Sequence, residues 1–214
     1  MPALEYLIPL LAFLLLSLSV HEAAHAWTAD RLGDPTARML GRITLNPLAH
    51  IDWIGTVLFP LISVLTGFPL LGWAKPVPVN FRNLKAPRRD FAFVALAGPV
   101  SNLVLAALAT PIFLMIYGDG DPEMVSILAA RFVVLNVSLA VFNMIPFPPL
   151  DGGNVLSGFV PESVAAAIDQ LRPYGFIILY ALLFTGALSR FVFPVAFAIT
   201  TALRIPEWAW YPLR

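Results

Sequence analysis

Two histidines four residues apart, with a glutamate beside the first, are the residues best suited to chemistry in this sequence: His21-Glu22-Ala23-Ala24-His25. On a helix each residue turns ~100°, so positions i and i+4 share a face and both imidazoles can hold one Zn²⁺. Glu22 points to the neighbouring side, within reach of a metal-activated water. Zinc lowers the pKa of such a water toward ~7, and a carboxylate can take its proton as it attacks a carbonyl. A catalytic zinc usually has three protein ligands and an open position. The chain has no cysteine and three histidines, so thiolate sites and disulfides are excluded and the third ligand must be His, Asp or Glu. His50 and Asp151 are the candidates. Asp151 ends the run Asn143-Met-Ile-Pro-Phe-Pro-Pro-Leu-Asp151 and is followed by Gly152-Gly153. Its prolines break a helix, and a broken helix at membrane depth is expected around a binding site. His50, in Asn46-Pro47-Leu48-Ala49-His50-Ile51-Asp52, reads either as a metal-proximal group or as a polar side chain bonded to backbone at the interface. The second reading is favoured, with Asp52 capping a helix that starts at Trp53.

The elements that must position these groups are membrane helices. Of 214 residues, 59% are hydrophobic and 12% charged, with a mean hydropathy of +0.81, so the bilayer is the solvent. Net charge is zero, and nothing points to nucleic acid. A span takes roughly 20 apolar residues. Residues 5–27, 91–117, 124–145 and 174–203 supply such runs, the last interrupted by Gly186, Arg190 and Pro194. The N-terminal run carries no Lys or Arg and leads straight into the histidine motif, so it reads as a retained helix and not a cleaved signal. Residues 161–172 read as a short amphipathic interfacial helix, and Trp208, Trp210 and Tyr211 as an interfacial belt.

Charge sets the orientation. Segments 28–50 and 73–90 are rich in Lys and Arg, whereas 118–123 holds Asp119, Asp121 and Glu123 and no base. The positive-inside rule places both basic segments in the cytoplasm. The chain between them then crosses an even number of times, which makes 52–72 a re-entrant or hairpin element. Residues 37–46 and 73–81 read as short edge strands, the prolines of the second excluding it from a sheet interior. An exposed edge there could accept an extended peptide. One domain, 1–214, is expected.

Three separated motifs, His21-Glu-Ala-Ala-His25, Gly98-Pro99-Val100-Ser101-Asn102 and Asn143…Asp151-Gly152, resemble those of the site-2 protease family of intramembrane zinc metalloproteases, over about residues 5–155. The resemblance implies an all-α polytopic fold with a three-helix catalytic core (5–27, 91–117 and 124–150). It implies one Zn²⁺ per chain held by His21, His25 and Asp151, and Glu22 as general base. It places Asn143 near the metal as a donor to the oxyanion or the substrate backbone. Asn102 is assigned to the site or to packing beside Gly98-Pro99. The implied partners are a transmembrane or membrane-associated protein substrate, the lipid bilayer and an upstream protease that cuts first. The implied setting is a bacterial inner membrane with the active site toward the cytoplasm. There is no room for the PDZ or CBS domains of many relatives, so the chain resembles a minimal form.

Two other readings compete. A membrane zinc transporter also carries His and Glu on its helices, but a permeation path needs polar groups on several spans, and here they cluster near one face. A non-catalytic relative that binds helices would have lost Glu22, a histidine or Asp151, and all four are present.

Overall fold

The computed structural model describes residues 4–58, 62, 74–118 and 122–211. Helix α1 spans Leu4–Arg31, α2 is a single turn at Thr36–Met39, α3 spans Pro87–Ile116 and α4 spans Met124–Asn143. The shorter α5 (Asp151–Phe159), α6 (Glu162–Leu171), α7 (Gly175–Phe184) and α8 (Ala187–Ala202) follow. At 1.5 Å per residue, the 28 residues of α1 and the 30 of α3 reach roughly 42 and 45 Å, more than the ~30 Å hydrocarbon layer. By length and apolar composition four stretches among the described residues can cross a membrane: Ile8–Arg31 of α1, Pro87–Ile116, Met124–Asn143 and Glu162–Phe184.

Helix α3 is the centre of the molecule, packed on α1, α4 and α5, while α4 also carries α8. It starts at Pro87, whose missing N–H costs nothing in a first turn, and Asp90 Oδ2 accepts the Ala86 N–H at 2.8 Å. Its inner face is made of Ala92, Val94, Ala95, Gly98, Asn102, Ala106 and Phe113, mostly small residues that let neighbouring backbones approach, as membrane helix packing requires. Below them, Phe113 joins Val133, Val137 and Ala196 in the main apolar cluster.

The prolines decide where α4 stops. A core helix through residue 150 was expected, but α4 ends at Asn143. Pro146, Pro148 and Pro149 cannot donate to a helical ladder. Residues 144–150 instead make a compact turn, held by the bonds Phe147 N–H to Ile145 O and Leu150 N–H to Phe147 O, before α5 begins at Asp151. The C-terminal run is broken, at Gly186, which adopts φ 71° between α7 and α8. That left-handed conformation suits glycine. Helix α8 continues through Pro194. The amphipathic helix expected at 161–172 is present as α6, but a 3₁₀ turn at Arg172–Tyr174 runs it into α7. The fourth span-length stretch therefore begins at Glu162, and α8 alone has only 16 residues.

The edge strands do not form: among the described residues there is no β-strand. At 37–46 the chain is first helical, because the Asp34 carboxylate takes the Thr36 N–H (3.1 Å) and hydroxyl (2.5 Å) and starts α2. Residues 74–80 form no regular secondary structure. The re-entrant element expected at 52–72 falls largely outside the described residues. Its start is described, as a π-helical turn at Trp53–Leu58 capped by Asp52 Oδ1, which accepts from the N–H groups of Ile54 (3.0 Å) and Gly55 (2.8 Å).

Asp34 ties the basic loops together. It is fully buried and also accepts from Asn80 N–H (2.7 Å) and Asn83 Nδ2 (2.8 Å). Burial pushes its carboxyl up, but the hydrogen bonds from Thr36, Asn83 and Asn80 together pull it further down, so the net shift is below the ordinary carboxylate value. A carboxylate depressed in the folded state stabilises fully above its unfolded pKa, and the gain is lost as pH falls through the folded value. Asp34→Ala is expected to lower stability at pH 7 by about 2–3 kcal/mol. The gap to wild type should close as pH is lowered below ~4. Thermal unfolding of the detergent-solubilised pair across pH checks both; a gap that stays constant would contradict the account.

Candidate metal centre

His21 and His25 sit one helical turn apart on the buried face of α1, each less than a tenth exposed. A buried imidazole must spend its ring protons on acceptors. His25 Nδ1 lies 2.7 Å from the carbonyl oxygen of Val94 on α3. A carbonyl can only accept, so Nδ1 carries the proton and Nε2 keeps its lone pair. His21 Nδ1 lies 2.6 Å from Oδ1 of Asn102, also on α3. Both Nε2 atoms therefore turn to one point, where Asp151 Oδ2 lies 3.1 Å from His21 and 3.5 Å from His25.

Asp151 reaches that point because the proline turn ends α4 and the first residue of α5 faces back toward α1. Gly152 and Gly153 permit it. A Cβ on Gly152 would strike the carbonyl oxygen of Met144, and one on Gly153 would lie 2.7 Å from the Phe147–Pro148 backbone. Gly98 does the same for α3. A Cβ there would sit 2.5 Å from His21 Nε2 and from two atoms of the His25 ring. Only a glycine lets α3 pass this close beside both imidazoles.

The ligand atoms of His21, His25 and Asp151 lie within 4.8 Å of one another, the one such His/Asp/Glu cluster among the described residues. Two imidazoles and a carboxylate, with both Nδ1 positions already bonded to protein acceptors, are the donor set and supporting shell a catalytic zinc requires. Of the two candidates for third ligand, Asp151 is brought to the pair. His50 is buried elsewhere, its Nε2 2.9 Å from the carbonyl of Thr44 and its own carbonyl accepting Lys75 N–H at 2.8 Å. The interface reading of His50 fits this placement.

A cavity of about 610 Å³ opens on the cluster. Glu22 and Asn143 both line it. The Asn143 amide currently turns back on its own helix, Nδ2 donating to Leu139 O at 3.0 Å. One wall is the 74–80 segment, through Ala74, Pro76, Val77 and Val79.

Comparison with known proteins decides the family. The model of peptidase family M50 matches residues 9–132 and 120–186. The chain belongs to peptidase family M50, the site-2 protease family. Similar relatives are YwhC of Bacillus subtilis (strain 168), 39% identical over 85% of this chain and 83% of its own length, and Rip2 of Mycolicibacterium smegmatis (strain ATCC 700084 / mc(2)155), 33% identical over 86% and 69%. Rip2 of Mycobacterium tuberculosis (strain ATCC 25618 / H37Rv) is 30% identical over 86% and 69%. All three carry the name "Putative zinc metalloprotease". No solved structure gives a significant match. This M50 chain is thus a zinc metalloprotease and an integral membrane protein, and His21, His25 and Asp151 are placed to hold its metal.

Sequence reasoning missed the acceptors. Val94 acts through its backbone and leaves no trace in residue type. Asn102 was divided between packing and site, and it bonds His21. The signal available was an amide in the middle of an apolar helix, which is costly unless partnered.

Gly98→Ala is expected to weaken zinc binding by at least about tenfold, because the new methyl must displace the imidazoles or push α3 away. Chelator competition on folded protein, with helix content as control, checks it. Zinc affinity equal to wild type would show that the rings do not need this contact.

Proposed function

We propose that this M50 protein hydrolyses peptide bonds in transmembrane or membrane-associated protein segments, with His21, His25 and Asp151 as zinc ligands and Glu22 as general base. The observation that carries the reading is the convergence of three ligand atoms, two of them from buried histidines, on a cavity that is also lined by Glu22. A zinc ion bound there supplies Lewis-acid polarisation of a carbonyl and acidifies water. Glu22 takes the proton of the attacking water and passes it to the leaving amine. Asn143, released from Leu139 O, donates to the developing oxyanion or to the substrate backbone.

Depth supports the membrane substrate. His25 lies six residues and His21 ten residues from Arg31, roughly 9 and 15 Å from the end of α1. The bases Arg31, Arg38, Arg42, Lys75, Arg82, Lys85, Arg88 and Arg89 fall between the last residue of α1 and the first turn of α3, segments that the positive-inside rule assigns to the cytoplasm. The site is then below the cytoplasmic surface of a bacterial inner membrane. The substrate is cut there, in the regulatory setting where an upstream protease acts first.

The backbone of the 74–80 wall suits a strand-like substrate. Pro76 and Pro78 have no N–H, and the N–H and C=O groups of Val77 and Val79 have no backbone partner among the described residues. Arg42 clamps the segment by its Nη2 to Lys75 O at 2.5 Å, and Asp34 holds Asn80. A fixed segment with free backbone groups can pair with an unwound peptide.

Zinc content and cleavage of a panel of transmembrane-helix reporters, measured on the same purified samples, test the assignment. Wild type and Glu22→Gln should each bind about one zinc, with cleavage in Glu22→Gln reduced at least about 100-fold. Asp151→Ala should lose zinc as well as activity. Undiminished cleavage by Glu22→Gln would remove the general base. Zinc flux into proteoliposomes without cleavage would favour a transporter. Val77→Pro should slow cleavage about tenfold or more with zinc content unchanged, since it removes one N–H from the 74–80 wall. Unaltered rates would detach that segment from the substrate.

A further inference from the structure

Beyond Asn102, the polar chain from His21 continues to a residue on α4. Asn102 Nδ2 donates to Asn136 Oδ1 at 2.9 Å, and Asn136 Nδ2 donates to the carbonyl of Phe132 at 2.9 Å. Asn102 and Asn136 are both fully buried, and Asn136 stands among Val133, Val137 and Ala140 on the inner face of α4. We propose that Asn136 is a positioning residue that sets the hydrogen-bond direction of this chain and thereby presents the Nε2 lone pair of His21 to the zinc. The inference rests on the metal-ligand assignment above.

The argument is one of polarity. An asparagine amide has a donor end and an acceptor end, and it can be turned over at little cost of shape. Left alone, Asn102 could offer its NH₂ to His21, which would make Nδ1 the acceptor and put the ring proton on Nε2, the atom needed for the metal. Asn136 forbids this. The Phe132 carbonyl can only accept, so the Asn136 NH₂ must face it and Oδ1 must face Asn102. Asn102 then presents its NH₂ to Asn136 and its oxygen to His21, and His21 donates from Nδ1. The Ser17 carbonyl favours the same sense, but it stands 3.4 Å from Asn102 Nδ2, a weak bond beside the 2.9 Å one. His25 needs no such relay, since a backbone carbonyl fixes its tautomer directly.

A double-mutant cycle tests this, read as zinc affinity by chelator competition on folded protein. Asn136→Leu, close in volume, and Asn136→Ala, which adds no bulk, should each weaken zinc about 10- to 100-fold in the wild-type background. In the Asn102→Asp background the carboxylate can only accept from His21, so its sense no longer depends on Asn136. There the same two substitutions, which also remove the Asn136 oxygen that would face the second carboxylate oxygen, should leave zinc affinity unchanged or raise it. Wild-type affinity in Asn136→Leu and Asn136→Ala would overturn the proposal. Equal losses in both backgrounds would also overturn it, as would zinc that stays lost from Asn102→Asp when either Asn136 substitution is added, or failure of both Asn136 variants to fold, because each marks a packing role. Absence of zinc from folded, reconstituted wild type would refute the metal-site assignment instead.

Discussion

The arrangement around His21 and His25 follows from the need to give two buried imidazole N–H groups an acceptor within the contact between α1 and α3. In an apolar surround an unpartnered ring proton is costly, and each histidine on α1 resolves it against α3. One uses a main-chain oxygen and the other an amide. Those two bonds orient both rings, bring α1 and α3 into contact, and leave the remaining nitrogens converging on a point that the first residue of α5 completes. The metal site and the helix packing are therefore the same set of contacts.

Residue type and spacing carried much of this. The histidine pair, the glutamate beside it, Asp151 and the span-length helices α1, α3 and α4 are all written as local patterns: period 3.6, apolar length and charge asymmetry. Asp151 could be chosen over His50 by resemblance, but its approach depends on a seven-residue turn between two helices, and no local pattern states where such a turn points. The same turn explains why α4 is shorter than expected. Prolines gave the break, but the end of the helix is fixed by the first carbonyls that lose their donors, several residues earlier.

What was misread has a common cause. The extended segments at 37–46 and 73–81 look like strands by composition, but a strand needs a neighbour to pair with. Instead a buried carboxylate, Asp34, organises these loops through side-chain bonds, and its first act is to wind Thr36–Met39 into a turn. The amphipathic stretch from Glu162 was legible as α6; composition did not state that a 3₁₀ turn at Arg172–Tyr174 carries it directly into α7. The broken C-terminal run was legible, since Gly186 alone combines a missing side chain with the left-handed backbone at the break.

The bare backbone at Gly98 has a mechanical consequence. Sliding α3 along α1 by about one turn, ~5.4 Å, would bring the side chain of Ala95 or Asn102, on the same face as Gly98, toward imidazoles that have no room for a methyl at that position. The two helices are therefore locked in register, like gear teeth with one matching gap. Any opening that admits a substrate must leave this pair still and be carried by elements outside it.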